Sequence, residues 1–221
     1  MIVLNFHGIG DPKKAGRTLE PNEERVWVSI DIFEQILDGL GRLGDDVKLT
    51  FDDGNVSDVS VALPRLIERK LKASFFLISD RIDTPGAVST NDVHTLLDAG
   101  MNIGVHGKSH CAWGSLDRHK LSEDIMVGKE TLERFTGNSL TTAACPFGSY
   151  NRFVLGFLQK HGFTNVYTSD AAVTSSSSWL RARFSVHDTD TIDSIVSQVA
   201  TARSFPRSLK DRARIMVKSF R

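Results

Sequence analysis

Two adjacent carboxylates and a spaced pair of imidazoles are the residues of this chain best suited to chemistry. Asp52 and Asp53 follow the run Lys48-Leu49-Thr50-Phe51 directly and precede Gly54. In extended backbone, consecutive side chains project to opposite sides, so one carboxylate can hold a metal ion while its neighbour faces substrate. An isolated Asp-Asp-Gly is more often a turn than a site, and only partners convert it into chemistry. His106 and His110, spaced H-x-x-x-H just after Asn102–Val105, supply those partners. Positions i and i+4 share a face of a helical turn, and a tight loop can also bring two imidazoles to one ion. Two His and one Asp leave coordination positions open for water and substrate. A divalent ion held this way lowers the pKa of its water toward about 7 and polarises a carbonyl, which is the chemistry of hydrolysis. The uncoordinated carboxylate would take the water's proton, and a second donor must protonate a departing amine. His7, in Asn5-Phe6-His7-Gly8, is the candidate donor.

The elements that must position these groups alternate along the chain. Ile2 to Phe6, Val47 to Phe51, Ala73 to Ile78, Asn102 to Val105, Thr142 to Cys145 and Asn165 to Thr168 read as short apolar strands, with Arg183 to Val186 a seventh. Between them, apolar residues recur at helical spacing. Examples are Ile30, Phe33, Ile36, Leu37 and Leu40 after the N-cap Ser29, and Val93, Leu96 and Leu97 after Thr90. Ile125, Leu132 and Phe135 follow Ser122 and stop at Gly137, Asn151 to His161 stops at Gly162, and Thr191 to Ala202 is another candidate. Strands separated by such crossovers are parallel and make a barrel or a doubly wound sheet. Both architectures gather function at the carboxyl ends of the strands, where His7, Asp52, Asp53, His106 and His110 all fall.

With order and spacing taken together, the chain resembles the polysaccharide deacetylases of carbohydrate esterase family 4. Leu49-Thr50-Phe51-Asp52-Asp53-Gly54 looks like the family's first motif, His106 and His110 like its second, and Cys145 to Asn151 (CPFGSYN) like its third. The resemblance implies an irregular (β/α) barrel of about seven parallel strands in one domain, residues 1–221. It also implies removal of N-acetyl groups from an amino-sugar saccharide. Asp52 would be the base, and Asp53, His106 and His110 the ligands of a divalent ion, with zinc first and cobalt, nickel, manganese or iron as alternatives. Pro146, Phe147, Gly148 and Tyr150 of the third motif would line the substrate groove.

Three departures carry expectations of their own. Many relatives hold the base aspartate with an Arg in the third motif, where this chain has Ala144; Arg183, or failing that Arg181, is expected to reach Asp52 instead. The late Leu-x-His motif that carries the general acid has no counterpart after Asn151. A chain beginning Asn5-Phe6-His7-Gly8 is instead similar to the circularly permuted branch that includes the poly-N-acetylglucosamine deacetylases, which favours His7 over His187 as acid. Gly107 stands where relatives carry Ser or Thr, removing support for the metal site. Ala144 and Gly107 together motivate the competing reading, a degenerate domain that binds glycan or a partner without turnover.

Bulk properties exclude other classes. The 221 residues carry 27 basic and 27 acidic side chains, so no basic excess points to nucleic acid. No stretch approaches the roughly 20 apolar residues of a membrane helix. The N-terminus lacks a positive leader, and Cys111 and Cys145 are the two cysteines, so a reduced, cytoplasmic location is the simplest expectation. Trp113, three residues beyond His110, is the candidate platform for a sugar ring. The tail from Arg203 to Arg221 is rich in Arg and Lys and reads as a solvated face, with peripheral docking to an anionic membrane as the minor alternative.

Overall fold

Short β-rich runs and amphipathic segments build a barrel in which the strands face inward and the helices pack outside. The computed structural model describes residues 1–204, 213 and 215–218. In chain order the elements are β1 (Ile2–Phe6), α1 (Ile30–Asp38), β2 (Val47–Asp53), α2 (Leu63–Glu68), β3 (Ala73–Leu77), α3 (Thr90–Asp98), β4 (Asn102–Val105), α4 (Arg118–Ser122), α5 (Gly128–Thr136), β5 (Thr142–Ala144), α6 (Arg152–Lys160), β6 (Asn165–Thr168), β7 (Leu180–Ala182), β8 (Phe184–Ser185) and α7 (Ile192–Arg203). Local chemistry starts the helices: Ser29, Asn151 and Thr191 each accept an N-terminal backbone amide of the helix that follows. Ser89, rather than Thr90, caps α3 with a reciprocal bond to Asp92.

The strands lie in the order β7-β6-β5-β4-β3-β2-β1-β8, and every pairing is parallel. The expected seventh strand, Arg183 to Val186, corresponds to β8 alone, and β7 before it was not expected, giving eight strands among the described residues. β7 pairs with β6 at one edge, β8 pairs with β1 at the other, and Arg183 alone separates them. The Arg183 amide donates to Thr168 O and the Val186 amide to Asn5 O, each at 2.9 Å. The chain thus steps from one edge of the sheet to the other within one residue, and the barrel is nearly closed. Closure explains why this strand was the weakest in sequence: a segment shared between two edges needs neither length nor a long apolar run.

Between strands and helices lies the main apolar layer, including Phe33, Phe6, Phe51 and Phe75 with successive ring centroids 4.7–5.4 Å apart. Inside the barrel the filling is sparser and partly polar. Val3, Phe76, Ala144 and Tyr167 form a small cluster, and Asn5, Thr50, Asp52 and Arg183 complete it with polar groups that bond one another. Gly104 on β4 makes room for Phe76, because a Cβ there would lie 2.5 Å from its ring.

One helix departs from its expected start. Asp117, not Ser122, caps α4, and α4 continues into α5 through a π-turn at Glu123–Val127. The wider turn aims Asp124 at the loop carrying His106 and His110, the kind of local expansion often found beside functional sites.

Candidate active site

Strand parity delivers most of the site. On β2, Asp52 shares its side with Thr50 and points into the barrel; Phe51 packs outward among the aromatics. There Arg183 meets it in a two-pronged bond, Nη1 to Oδ1 and Nη2 to Oδ2 at 2.7 Å each, while Asn5 Nδ2 donates to Oδ2 at 3.0 Å. Arg183 is itself fully buried, with its guanidinium 5.5 Å from the centroid of the Phe76 ring. Burial works to raise the Asp52 carboxyl, but the Arg183 charge, with His106, the Arg183 hydrogen bonds and His7, holds it below the ordinary carboxylate range. Arg181 points elsewhere, donating to Ser178 O and the Tyr167 hydroxyl.

Asp53 ends the strand with φ +77, a left-handed conformation that swings its carboxylate to the rim. Its Oδ1 lies 3.6 Å from His106 Nε2 and 3.3 Å from His110 Nε2. One ligand atom from each of the three residues falls within 4.8 Å of the others. Both imidazoles are tied back from the far side. His106 Nδ1 donates to Ala144 O, and His110 Nδ1 to Glu20 Oε1, each at 2.8 Å. Those acceptors fix the proton on Nδ1 and leave the Nε2 lone pairs turned toward Asp53. Burial pushes His106 down to about 4 against the pull of Asp52, so it is neutral near pH 7, the form that binds metals. Asp53 Oδ1 is buried with no hydrogen-bond partner among the described residues. A carboxylate oxygen left unpaired between two lone pairs is an arrangement that a divalent cation would satisfy, and a Nε2, Nε2, carboxylate donor set suits one.

A cavity of about 190 Å³ opens onto these groups, lined by His7, Glu20, Asp52, Asp53, His106, His110, Phe147 and Ser169 among others. His7 follows β1 at the same rim, and its Nδ1 is buried without a partner among the described residues. Phe147 is exposed and sits 4.3 Å from the His110 ring, one wall of the opening. Three expected groove residues differ. Pro146 and Gly148 are buried and do not line the cavity. Tyr150 is buried too, its hydroxyl donating to Asp170 at 2.7 Å. The correction is plainest for Trp113: it is 0% exposed and its indole donates to Asp124 at 2.8 Å, so no ring face is open to a sugar. His187 is exposed beside Asp190, away from the cavity lining.

The lost Ser or Thr at position 107 has a structural answer. Gly107 has φ +86, and a Cβ there would lie 2.3 Å from Asp124 Oδ2. The space instead admits Asp124, which accepts from the amide and hydroxyl of Ser109 at 2.9 and 2.7 Å and from Trp113. The loop carrying His106 and His110 is therefore braced by a carboxylate from the π-turn. Sequence reading missed Asp124 and Glu20 alike; the signal for Glu20 was the long connection between β1 and α1, residues 7–29, well beyond the 2–6 residues usual in such folds.

The sequence model of the family described as polysaccharide deacetylase matches residues 42–166, which run from before β2 into β6 and include Asp52, Asp53, His106 and His110. The chain belongs to the polysaccharide deacetylase family. Its fold is similar to that of the Streptococcus pyogenes deacetylase PplD in complex with acetate, with a TM-score of 0.74 at 18% identity over 90% of this chain and 97% of that one. IcaB from Ammonifex degensii superposes with a TM-score of 0.71 at 21% identity, over 89% of this chain and 95% of that one. The de-N-acetylase from Aggregatibacter actinomycetemcomitans gives 0.72 at 16% identity, over 95% and 98%. In sequence, this deacetylase-family chain is 23% identical over 129 residues to YxkH of Bacillus subtilis (strain 168), which carries the polysaccharide deacetylase name; the match covers 58% of this chain and 46% of that protein. No helix among the described residues is long and apolar enough to cross a membrane. Of the basic tail, Arg203 and Lys218 are described, and Lys218 pairs with Asp170 at 2.9 Å; Arg207, Lys210, Arg212, Arg214 and Arg221 lie outside the described residues.

Proposed function

We propose that the protein is a metal-dependent hydrolase that removes N-acetyl groups from an amino-sugar-containing saccharide, with Asp53, His106 and His110 as the metal ligands. The observation that carries this reading is the unpaired, buried Asp53 Oδ1 facing two imidazole nitrogens whose opposite nitrogens are already bonded. A divalent cation on these ligands, zinc first and cobalt, nickel, manganese or iron otherwise, would supply Lewis acidity toward the amide carbonyl and acidify a water beside it.

The chain's own residues do the rest. Asp52 stays ionised under Arg183 and retains lone-pair capacity on Oδ1, so it accepts the proton of the attacking water. A base this strongly held is weak, and it therefore works only on a water whose acidity has been raised in the same cavity. His7 delivers a proton to the amine nitrogen as the C–N bond breaks, since an amine anion is too basic to depart unaided. The products are acetate and a free amino sugar. Phe147 offers the exposed ring face for the saccharide, and the small cavity takes the acetyl group with the sugar outside it. The name of the Aggregatibacter relative, a de-N-acetylase, supports the choice of N-acetyl over O-acetyl.

Acetate release from N-acetylglucosamine oligomers by metal-loaded protein is the test. Activity that falls at least about 100-fold in Asp52→Asn and His7→Ala, with metal content unchanged, supports the assignment. Binding of the oligomers without acetate release, equal in wild type and Asp52→Asn, would replace it with the glycan-binding reading.

A further inference from the structure

The two imidazoles of the candidate metal centre are supported in unequal ways. His106 lies at the end of β4 and bonds a barrel carbonyl, Ala144 O, so the strands themselves set its ring. His110 lies out on a loop, at φ +58, and its Nδ1 faces the Glu20 carboxylate from the long connection after β1. Glu20 is fixed in turn. Arg81 pairs with the same Oε1, and the Glu20 amide donates to Glu23 Oε2 at 2.8 Å. Glu23 pairs with Arg17, and Arg17 Nη2 donates to Asn55 Oδ1 at 2.8 Å, two residues beyond Asp53. One continuous chain of polar contacts thus links the His110 side of the centre to the Asp53 side through this connection.

We propose that Glu20 is a positioning residue for the metal centre: it holds His110 in the tautomer and orientation that present Nε2, and through it residues 17–23 form an outer wall of the centre. The inference rests on the metal-site reading of Asp53, His106 and His110. A carboxylate hydrogen-bonded to the far nitrogen of a ligating imidazole raises its basicity and fixes its ring, and loss of such a partner typically costs 10–100-fold in metal affinity. A contact that only ties down the loop would change stability and leave the ligand field alone.

Chelator-competition isotherms with zinc, and the visible absorption of the cobalt-loaded protein, separate these roles in wild type, Glu20→Gln and Glu20→Ala. The expected result is one tight equivalent in wild type, about 10–100-fold weaker binding in Glu20→Ala with an altered cobalt spectrum, and an intermediate loss in Glu20→Gln, whose amide oxygen still accepts from Nδ1 without the charge. Wild-type affinity and spectrum in Glu20→Ala overturn the proposal. If that variant does not fold, the same two readouts unchanged in Glu20→Gln overturn it. A wild-type protein that binds one cation whose affinity His110→Ala does not change contradicts the underlying site instead, and one that binds none contradicts both.

Discussion

Asp52 and Asp53 are consecutive and almost equally buried, at 2% and 3% exposure, yet their surroundings could hardly differ more. Asp52 meets a resident cation, Arg183, and a neutral donor, Asn5, so both of its oxygens are bonded. Asp53 meets two imidazoles that have turned lone pairs toward it, and its Oδ1 bonds nothing among the described residues. Two nearby acids extend the contrast. Asp124 is satisfied by neutral donors from Ser109 and Trp113, whereas both oxygens of fully buried Asp58 lack partners among the described residues. The comparison teaches that burial does not set a carboxylate's role. The partner does: an internal cation holds Asp52 ionised, neutral donors make Asp124 a brace, and two facing imidazole nitrogens suit Asp53 to the proposed metal site.

The largest expected effect comes from removing the proposed metal ligand Asp53. Asp53→Asn should lower acetate release by more than ~100-fold, exceeding what an outer partner typically costs, while leaving the fold intact; steady-state assays and circular dichroism check both. Arg183→Met should come next, because it strands the Asp52 charge in the barrel. Its expected cost is about 3–5 kcal/mol by urea unfolding, and adding Asp52→Asn to the same chain should return much of that stability without returning activity.

How far these contrasts could be read from sequence alone depends on what fixes each residue. β1, β4 and β6 were legible to the residue because each is short, apolar and bounded by polar residues, and His7, Asp52, Asp53, His106 and His110 stand at strand ends. Arg183 was legible only through the family resemblance: many relatives carry an Arg where this chain has Ala144, which made Arg183, or failing that Arg181, the expected partner of Asp52, and the structure places Arg183 there. The additional strand β7, just before Arg183, was not legible, since its pairing with β6 while β8 pairs with β1 follows from barrel closure, a global property. Glu20 and Asp124 were hidden for a related reason. Each acts across a long sequence separation, and neither a polar loop nor a π-turn leaves a periodic trace. Trp113 was misread because an indole beside a ligand serves equally well as platform or donor, and only burial tells them apart.

Smaller effects sharpen the remaining pair. Trp113→Phe removes one donor from Asp124 and should cost about 1–3 kcal/mol, with KM for oligosaccharide unchanged; a raised KM at unchanged stability would restore the sugar-stacking role. Asp58 gives the pH test. Burial, with Asp53 and Asp52 adding to it, raises its carboxyl well above the usual range. A folded-state pKa raised above the unfolded value means the native state holds the extra proton, so its stability declines as pH rises above about 4. Asp58→Asn lacks that decline, so its stability relative to wild type should grow as pH rises above about 4, read by urea unfolding at successive pH values.

Metal stoichiometry in the two neighbouring aspartate variants tests the central claim most directly. Purified wild type, Asp52→Asn and Asp53→Asn are loaded with zinc, dialysed, and assayed for bound metal per chain. One equivalent retained by wild type and by Asp52→Asn, and lost by Asp53→Asn, is the predicted result. Retention by Asp53→Asn, or loss from Asp52→Asn alone, would contradict it.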